Sequence, residues 1–372
     1  MTTKAVPASS PQPRDGGKSR ATDEGTQRFA SRFTGTFASD FFRNTALGIT
    51  TSSIGLGTYL GESTSEDDDA YAEAIAHAAR SGINVLDTAI NYRGQRSERS
   101  ICVGLRDVFA TGHASRDEIV VCTKGGYIPL GDTPPATRAE YQAYVQREFL
   151  DQQILTRDEI VSGGHSLAPR FLRYCIAKSR QNIGLRTIDL YYLHNPEQQL
   201  ASVTIDELRA RLRSAFMVFE EAVSRGEIGA YGCATWEGLR VPPSAKSHVG
   251  LVDMVTAARE VAGDAHHFRA VQLPINLAMP EAVRAATQPL NGALVPLLQA
   301  ADALGISVFA SASLMQAQLS RGLPDAVRDA FPGCTTDAQR AIAFIRSLPV
   351  ASALVGMKKV AHVDENLASA RP

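Results

Sequence analysis

From Ser53 onward the chain alternates between two patterns. Short runs dense in Ile, Val and Leu predict strands buried on both faces, as in a parallel sheet. They fall at Ile54–Thr58, Ile83–Asp87, Ile119–Thr123, Ile188–Leu193, Ile228–Cys233, Ala270–Leu273, Ile306–Ser311 and Ala353–Gly356. The longer stretches between them carry helical spacing and end signals. Ser65 is placed to cap a helix running through Asp67 and Ala79, with Gly82 at its stop. Ser166 precedes a helix with Pro169 in its first turn and Gly184 at its end. Gly226 and Gly305 close two more helices just before strands. Eight β-then-α units in series predict a single α/β domain folded as a (β/α)8 TIM barrel. An open doubly wound sheet would announce itself with G-x-G-x-x-G between a strand and a helix. Gly55 and Gly57 begin such a motif, but no third glycine follows at the required place.

Two segments break the rhythm. Residues 1–27 are rich in Pro, Ser, Gly, Asp and Lys without apolar periodicity, which predicts a tail disordered at its start. The phenylalanines of Phe29–Arg43 suggest that this stretch packs onto the domain. The division is therefore a tail over 1–44 and a barrel over 45–372. The connection after the third strand, 125–164, is far longer than a typical βα loop. It holds Pro129, Pro134 and Pro135, then a helix-like stretch around Arg138–Phe149. Such loops emerge at the C-terminal face of the strands, so a partly ordered wall or lid is expected over the barrel mouth. Tyr127, Tyr141, Tyr144 and Phe149 offer it apolar surface for a substrate or a neighbouring subunit.

Composition narrows the class. A net charge of −1 gives no reason to expect binding to nucleic acid or an anionic membrane. No apolar run is long enough to span a bilayer, and the N-terminus lacks the apolar core of a signal peptide, which points to the cytoplasm. The five cysteines are scattered, with no C-x-x-C pair, as expected of reduced thiols, and no metal site is expected. Nothing in the sequence sets the oligomeric state.

In such a barrel the polar residues at the C-terminal ends of strands are the catalytic candidates. The second strand ends at Asp87, and its loop brings Asn91 and Tyr92; the third runs into Lys124; the fourth runs into His194 and Asn195. Taken singly, each has a plainer reading: a helix cap, a solvated amine, a satisfied core imidazole. Their convergence on one rim is what points to chemistry. Hydride reduction of a carbonyl leaves an alkoxide that needs a proton, and a tyrosine can supply it. Its ordinary pKa of about 10 is high for exchange near neutrality, and a lysine ammonium nearby would lower it. Asp87 would hold that buried lysine charged, and His194 can donate to the carbonyl oxygen.

The segment Leu86-Asp87-Thr88-Ala89-Ile90-Asn91-Tyr92 with Ser97-Glu98, then Cys122-Thr123-Lys124, then Asp189-Leu190-Tyr191-Tyr192-Leu193-His194-Asn195-Pro196, resembles the aldo-keto reductase signatures in family order. The resemblance runs from about Leu47 to Asn366. It implies a tetrad of Asp87, Tyr92, Lys124 and His194, with Tyr92 as general acid–base, and a nicotinamide cofactor bound across the barrel mouth. It also implies substrate contacts at Tyr59, Tyr127, Asn195 and Trp236. Val271-Gln272-Leu273-Pro274 resembles the strand whose Gln contacts the nicotinamide carboxamide. Gly232-Cys233-Ala234-Thr235-Trp236 occupies the place of the family's Gly-Val-Ser-Asn-Phe, so Ala234 lacks the serine's hydrogen bond and Thr235 partly replaces the asparagine. Ser311 falls where many members stack an aromatic ring. Gly356, Lys358, Lys359, His362, Glu365 and Asn366 resemble the segment that grips the adenosine phosphate and adenine, with His362 in place of the usual arginine. Lys358 and Lys359 could supply the charge for a 2′-phosphate, favouring NADP(H) over NAD(H), or be two solvated loop lysines.

The expected activity is reversible NAD(P)-dependent reduction of a small aldehyde or ketone, or oxidation of a sugar-like alcohol. Two alternatives use the same site: a redox-neutral epimerase or lyase with bound nicotinamide, and a cofactor-binding regulatory subunit.

Overall fold

The computed structural model of the protein describes residues 18–372. Its centre is a closed barrel of eight parallel strands in sequence order: β1 (Ile54–Gly57), β2 (Val85–Asp87), β3 (Val120–Gly125), β4 (Ile188–His194), β5 (Ile228–Ala234), β6 (Phe268–Pro274), β7 (Ser307–Ser311) and β8 (Ser352–Gly356), with β8 closing onto β1. All the strands expected from the apolar runs are present. The runs are continuous because both faces are buried. Successive side chains on a strand point to opposite faces. Val85, Val120, Cys122, Leu190, Tyr192, Ala270 and Phe309 fill the barrel interior. Their neighbours Leu86, Val121, Tyr191, Leu193, Val271 and Val308 pack outward against the helices.

The helices follow their punctuation with one correction. The helix expected to be capped by Ser65 spans Ser65–Arg80, and its cap is Thr64, whose side chain accepts from the Asp67 amide. Gly184 ends the Pro169–Ile183 helix in the left-handed conformation that glycine adopts without penalty.

The expectation of disorder over residues 1–17 lies outside the described residues. From Asp23 the polar stretch is not irregular: Asp23–Ser31 is a helix capped by Thr22. Ion pairs hold it, Arg28 to Asp117 and Glu118 and Arg32 to Glu118, together with a narrow buried face of Gly25, Thr26 and Phe29. Phe29, Phe33, Phe37, Phe41 and Phe42 then follow in ring-to-ring contact beneath the barrel, with Phe37 and Phe41 stacked. Ile49 enters the interior cluster from the same end, so the opposite, C-terminal end of the strands is the mouth.

The long connection carries the expected helix, Arg138–Val145, prolonged by a wider turn over Gln146–Leu150. It does not present its aromatics as a wall. Phe149 is fully buried in a separate small core with Ile90, Ile128, Val145, Leu155, Phe171 and Cys175. Tyr141 and Tyr144 donate to the carbonyls of Gly163 and Pro129 within the insertion itself. Of the four aromatics, Tyr127 reaches the mouth. Phe149→Ala is accordingly expected to remove about 3–5 kcal/mol from this local core. Limited proteolysis should then cut within 138–160 while cofactor binding at the mouth is kept; loss of cofactor binding would mean that the small core supports the mouth.

No helix among the described residues is long and apolar enough to cross a membrane.

Candidate active site

The parity that fills the barrel with apolar side chains also sets its polar top. Asp87 continues the series of Val85, Lys124 that of Val120 and Cys122, His194 that of Leu190 and Tyr192, and Gln272 that of Ala270. Each is the last or near-last inward position of its strand, so the interior turns polar only at the mouth. Lys124 and Asp87 form a buried ion pair, Nζ to Oδ2 at 2.7 Å, with 1% and 7% of their side chains exposed. Lys124 also donates to the Thr88 carbonyl at 2.8 Å. Gln272 donates to the other Asp87 oxygen at 2.8 Å. Burial pulls the lysine's pKa down, but the Asp87 carboxylate, helped by the neighbouring Tyr92 hydroxyl, outweighs it, and the net shift is upward. The ammonium stays charged with 5.0 Å separating it from the centre of the Tyr92 ring.

Tyr92 stands on the loop after β2. Its placement depends on an unusual backbone: Arg93, Gly94 and Gln95 are all left-handed, with φ of 49°, 62° and 69°. Two of these are not glycine, so the turn stores strain of about 1–3 kcal/mol per residue, which other contacts must offset. The buried Arg93 guanidinium does so. It pairs with Asp68 at 2.6 Å, donates to the Glu62 carbonyl at 2.9 Å and lies over the Tyr71 ring. The Ile90 amide donates to the Lys124 carbonyl, tying the loop to the lysine strand. Burial pushes the Tyr92 phenol above its ordinary value, and Lys124 pulls it back only in part. A neighbouring ammonium alone would lower the phenol; desolvation is the larger effect here.

The His194 ring lies edge-to-face with Tyr92 at 6.0 Å and with Tyr127 at 4.9 Å. Burial, with the nearby Lys124 charge, lowers its pKa well below the ordinary imidazole range, so the ring is neutral at physiological pH. Its Nδ1 has no hydrogen-bond partner among the described residues.

Asp87, Tyr92 and His194 line a cleft of about 820 Å³ at the mouth. Of the residues singled out from the sequence, Tyr59, Tyr127, Asn195, Trp236, Thr235, Gln272 and Ser311 also line it. So do Gly356, Lys358, His362, Glu365 and Asn366. Lys124 sits beneath the cleft. Lys359 is exposed and off the cleft wall. Lys358 is not a solvated lysine: it pairs with Asp67 at 2.7 Å.

The cleft fits an extended polar ligand. Thr235 Oγ1 and Asn91 Oδ1 are buried on its wall with no partner among the described residues, as a pair of groups awaiting a ligand's amide would be. Gln272 would have to share its amide between Asp87 and such a ligand.

Sequence reasoning missed three supports. Glu197 is buried and accepts from the Trp236, Glu237 and Gly238 amides, which shapes the loop carrying Trp236. Asp67 faces the cleft end through Lys358. The loop of Ala312, Met315, Gln316 and Ala317, all with positive φ, lines the cleft beside Ser311. The run Ser313–Ser320 contains no glycine to signal that backbone.

Comparison with known proteins agrees with this geometry. The model of the aldo/keto reductase family matches residues 53–255. A D-threo-aldose 1-dehydrogenase of a Pseudomonas species is 30% identical over 166 residues, which are 45% of this chain and 44% of that protein. The match thus spans less than half the length of that relative. Among solved structures, an aldo/keto reductase from Klebsiella pneumoniae in complex with NADP and acetate is similar, with a TM-score of 0.57, 18% identity, and 88% of this chain and 89% of that one covered. A holo-form aldo-keto reductase from Bacillus halodurans gives a TM-score of 0.58 at 16% identity over 88% and 90% of the two chains.

Proposed function

The chain belongs to the aldo/keto reductase family, and from that premise we propose that it is a cytoplasmic NAD(P)-dependent oxidoreductase. It interconverts a small aldehyde or ketone, or the matching sugar-like alcohol, with Tyr92 as general acid–base. The observation that carries this reading is the buried Lys124–Asp87 pair beneath a tyrosine at the cleft. A bound nicotinamide supplies or accepts the hydride.

The chain's own groups handle the proton and the orientation. In reduction the Tyr92 hydroxyl donates to the nascent alkoxide, and the Lys124 charge stabilises the phenolate left behind. Asp87 keeps that charge in place, which a lysine buried without a partner would lose. His194, neutral and beside Tyr92, donates a hydrogen bond to the carbonyl oxygen. Tyr59, Tyr127 and Trp236 frame the carbonyl's substituents, and Asn195 adds a polar contact. The aromatic and amide surfaces suit a neutral polyhydroxylated ring, in line with the aldose dehydrogenase relative.

Thr235, Gln272 and Ser311 are the proposed contacts for the nicotinamide end. Gly356, Lys358, His362, Glu365 and Asn366 serve the adenosine end, where Lys358 would turn from its Asp67 partner to a 2′-phosphate, the basis for NADP(H) over NAD(H). Lys358→Ala should weaken NADP(H) binding and leave NAD(H) little changed, whereas Lys359→Ala should affect neither. The fluorescence of Trp236, the chain's one tryptophan, reports both titrations from the cleft wall. Equal losses for the two cofactors, or none, would reject the phosphate role of Lys358. The function itself is tested by following reduced-nicotinamide absorbance with an aldose and carbonyl panel: oxidation or reduction equimolar with product supports it, and product without net cofactor turnover contradicts it.

A further inference from the structure

We infer that His165 is a positioning residue for this reaction, setting the place of His194 from behind through that residue's own carbonyl. The inference rests on the reading of His194 as the donor to the substrate oxygen.

His165 closes the long insertion and is fully buried. The two ends of the insertion are zipped together, the Ile128 amide donating to the Gly164 carbonyl and the Ser166 amide to the Gly126 carbonyl. His165 is thereby held against β4. Its Nε2 lies 2.7 Å from the His194 carbonyl oxygen. That oxygen can only accept, so Nε2 carries the proton. The Nδ1 of a neutral ring is then an acceptor, and Gln199 Nε2 meets it at 2.7 Å. The Gln199 amide cannot turn over, because its oxygen accepts from Arg211, which is itself held by Glu207 at 2.6 Å. A flipped amide would set an oxygen against a lone pair and an NH2 against a guanidinium. One arrangement of protons satisfies the whole chain from Arg211 to the His194 carbonyl. Burial, which lowers the His165 pKa to about 4, keeps the ring in that neutral form.

His194 needs this support. Its side chain has no hydrogen bond through Nδ1 among the described residues. On one side its strand still pairs with β5, His194 opposite Ala234. On the other, the ladder to β3 ends one residue earlier, at Gly125 opposite Leu193. Gly126 then turns away with φ of 143°, and His165 supplies the N–H that the strand no longer offers. A Cβ on residue 126 would lie 3.0 Å from the His194 oxygen and 3.2 Å from His165 Nε2, so glycine is what lets the two meet. The His165 ring also backs Tyr127 edge-to-face at 4.8 Å, and Tyr127 backs His194 in turn.

His165→Leu removes the donor. With cofactor and a carbonyl substrate, kcat should fall about tenfold while the cofactor Kd from Trp236 fluorescence holds, because small displacements of a catalytic group are costly in rate. His165→Gln places an amide N–H near the former Nε2 and should restore most of the loss. Arg211→Met, on the half-exposed end of the chain, should give a smaller loss of the same kind if the His165 variants fold poorly. The deciding measurement is a double-mutant cycle with His194→Ala. If His165 acts through His194, adding His165→Leu to His194→Ala lowers kcat no further. Additive losses, an unchanged kcat in His165→Leu, or failure of His165→Gln to recover activity overturns the positioning role. Near-normal turnover in His194→Ala alone overturns the reading of His194 and the inference with it.

Discussion

Tyr92→Phe is expected to slow turnover by about 10²–10⁴-fold while cofactor affinity stays almost unchanged. The substitution keeps the ring, and with it the edge contacts to Tyr59 and His194 and the position over Lys124. It removes only the O–H that protonates the alkoxide. An interaction made chiefly in the transition state lowers kcat and kcat/KM together when it is lost. Steady-state kinetics on the variant, with Trp236 fluorescence for the cofactor, separate that outcome from a binding defect. Near-normal turnover would remove Tyr92 from the chemistry.

Lys124→Met is expected to be as damaging and to change the pH profile as well. In alcohol oxidation the phenolate is the base, so activity rises as pH passes upward through the Tyr92 pKa. Burial already holds that pKa above the ordinary phenol value, and the Lys124 charge opposes it. Removing the charge raises the pKa further, and the residual oxidation profile should move to higher pH. An unshifted profile would mean that Lys124 only holds the loop and strand in place. The variant should also lose stability, about 3–5 kcal/mol, because Asp87 is left buried without its counter-ion. Gln272 still donates to one Asp87 oxygen and softens the loss. Chemical denaturation measures it, and a variant as stable as the parent would argue against a charged pair.

The barrel was legible because its signal is local and repeated. Each strand is a short apolar run, and each helix stop is a glycine or a cap within a few residues of it. The clustering of Asp87, Lys124 and His194 was legible for a related reason: they sit at strand ends, where period-two alternation carries an inward position up to the mouth. What escaped depends on partners distant in sequence. The Asp23–Ser31 helix is fixed by pairs with Asp117 and Glu118, about ninety residues away, and its own composition reads as a tail. From sequence alone the insertion's aromatics suit a substrate or a neighbouring subunit, but Phe149 packs with Phe171 and Cys175 from the next helix. No spacing rule reports that pairing. Lys358 and Lys359 are equivalent on the page of the sequence, yet one faces the cleft beside Asp67 and the other faces outward. His165 and Gln199 carried no signal, since their roles arise only where the insertion folds back against β4.

Net hydride transfer between a nicotinamide and a carbonyl carbon at this cleft leaves an atom that can be traced. It is tested most directly by supplying reduced cofactor deuterated at the transferable ring position and locating the label by mass spectrometry and NMR. One deuterium is expected on the former carbonyl carbon for each cofactor oxidised, with the transfer slowed in Tyr92→Phe to the same extent as turnover. Product formed without label at that carbon, or without net oxidation of the cofactor, would contradict it.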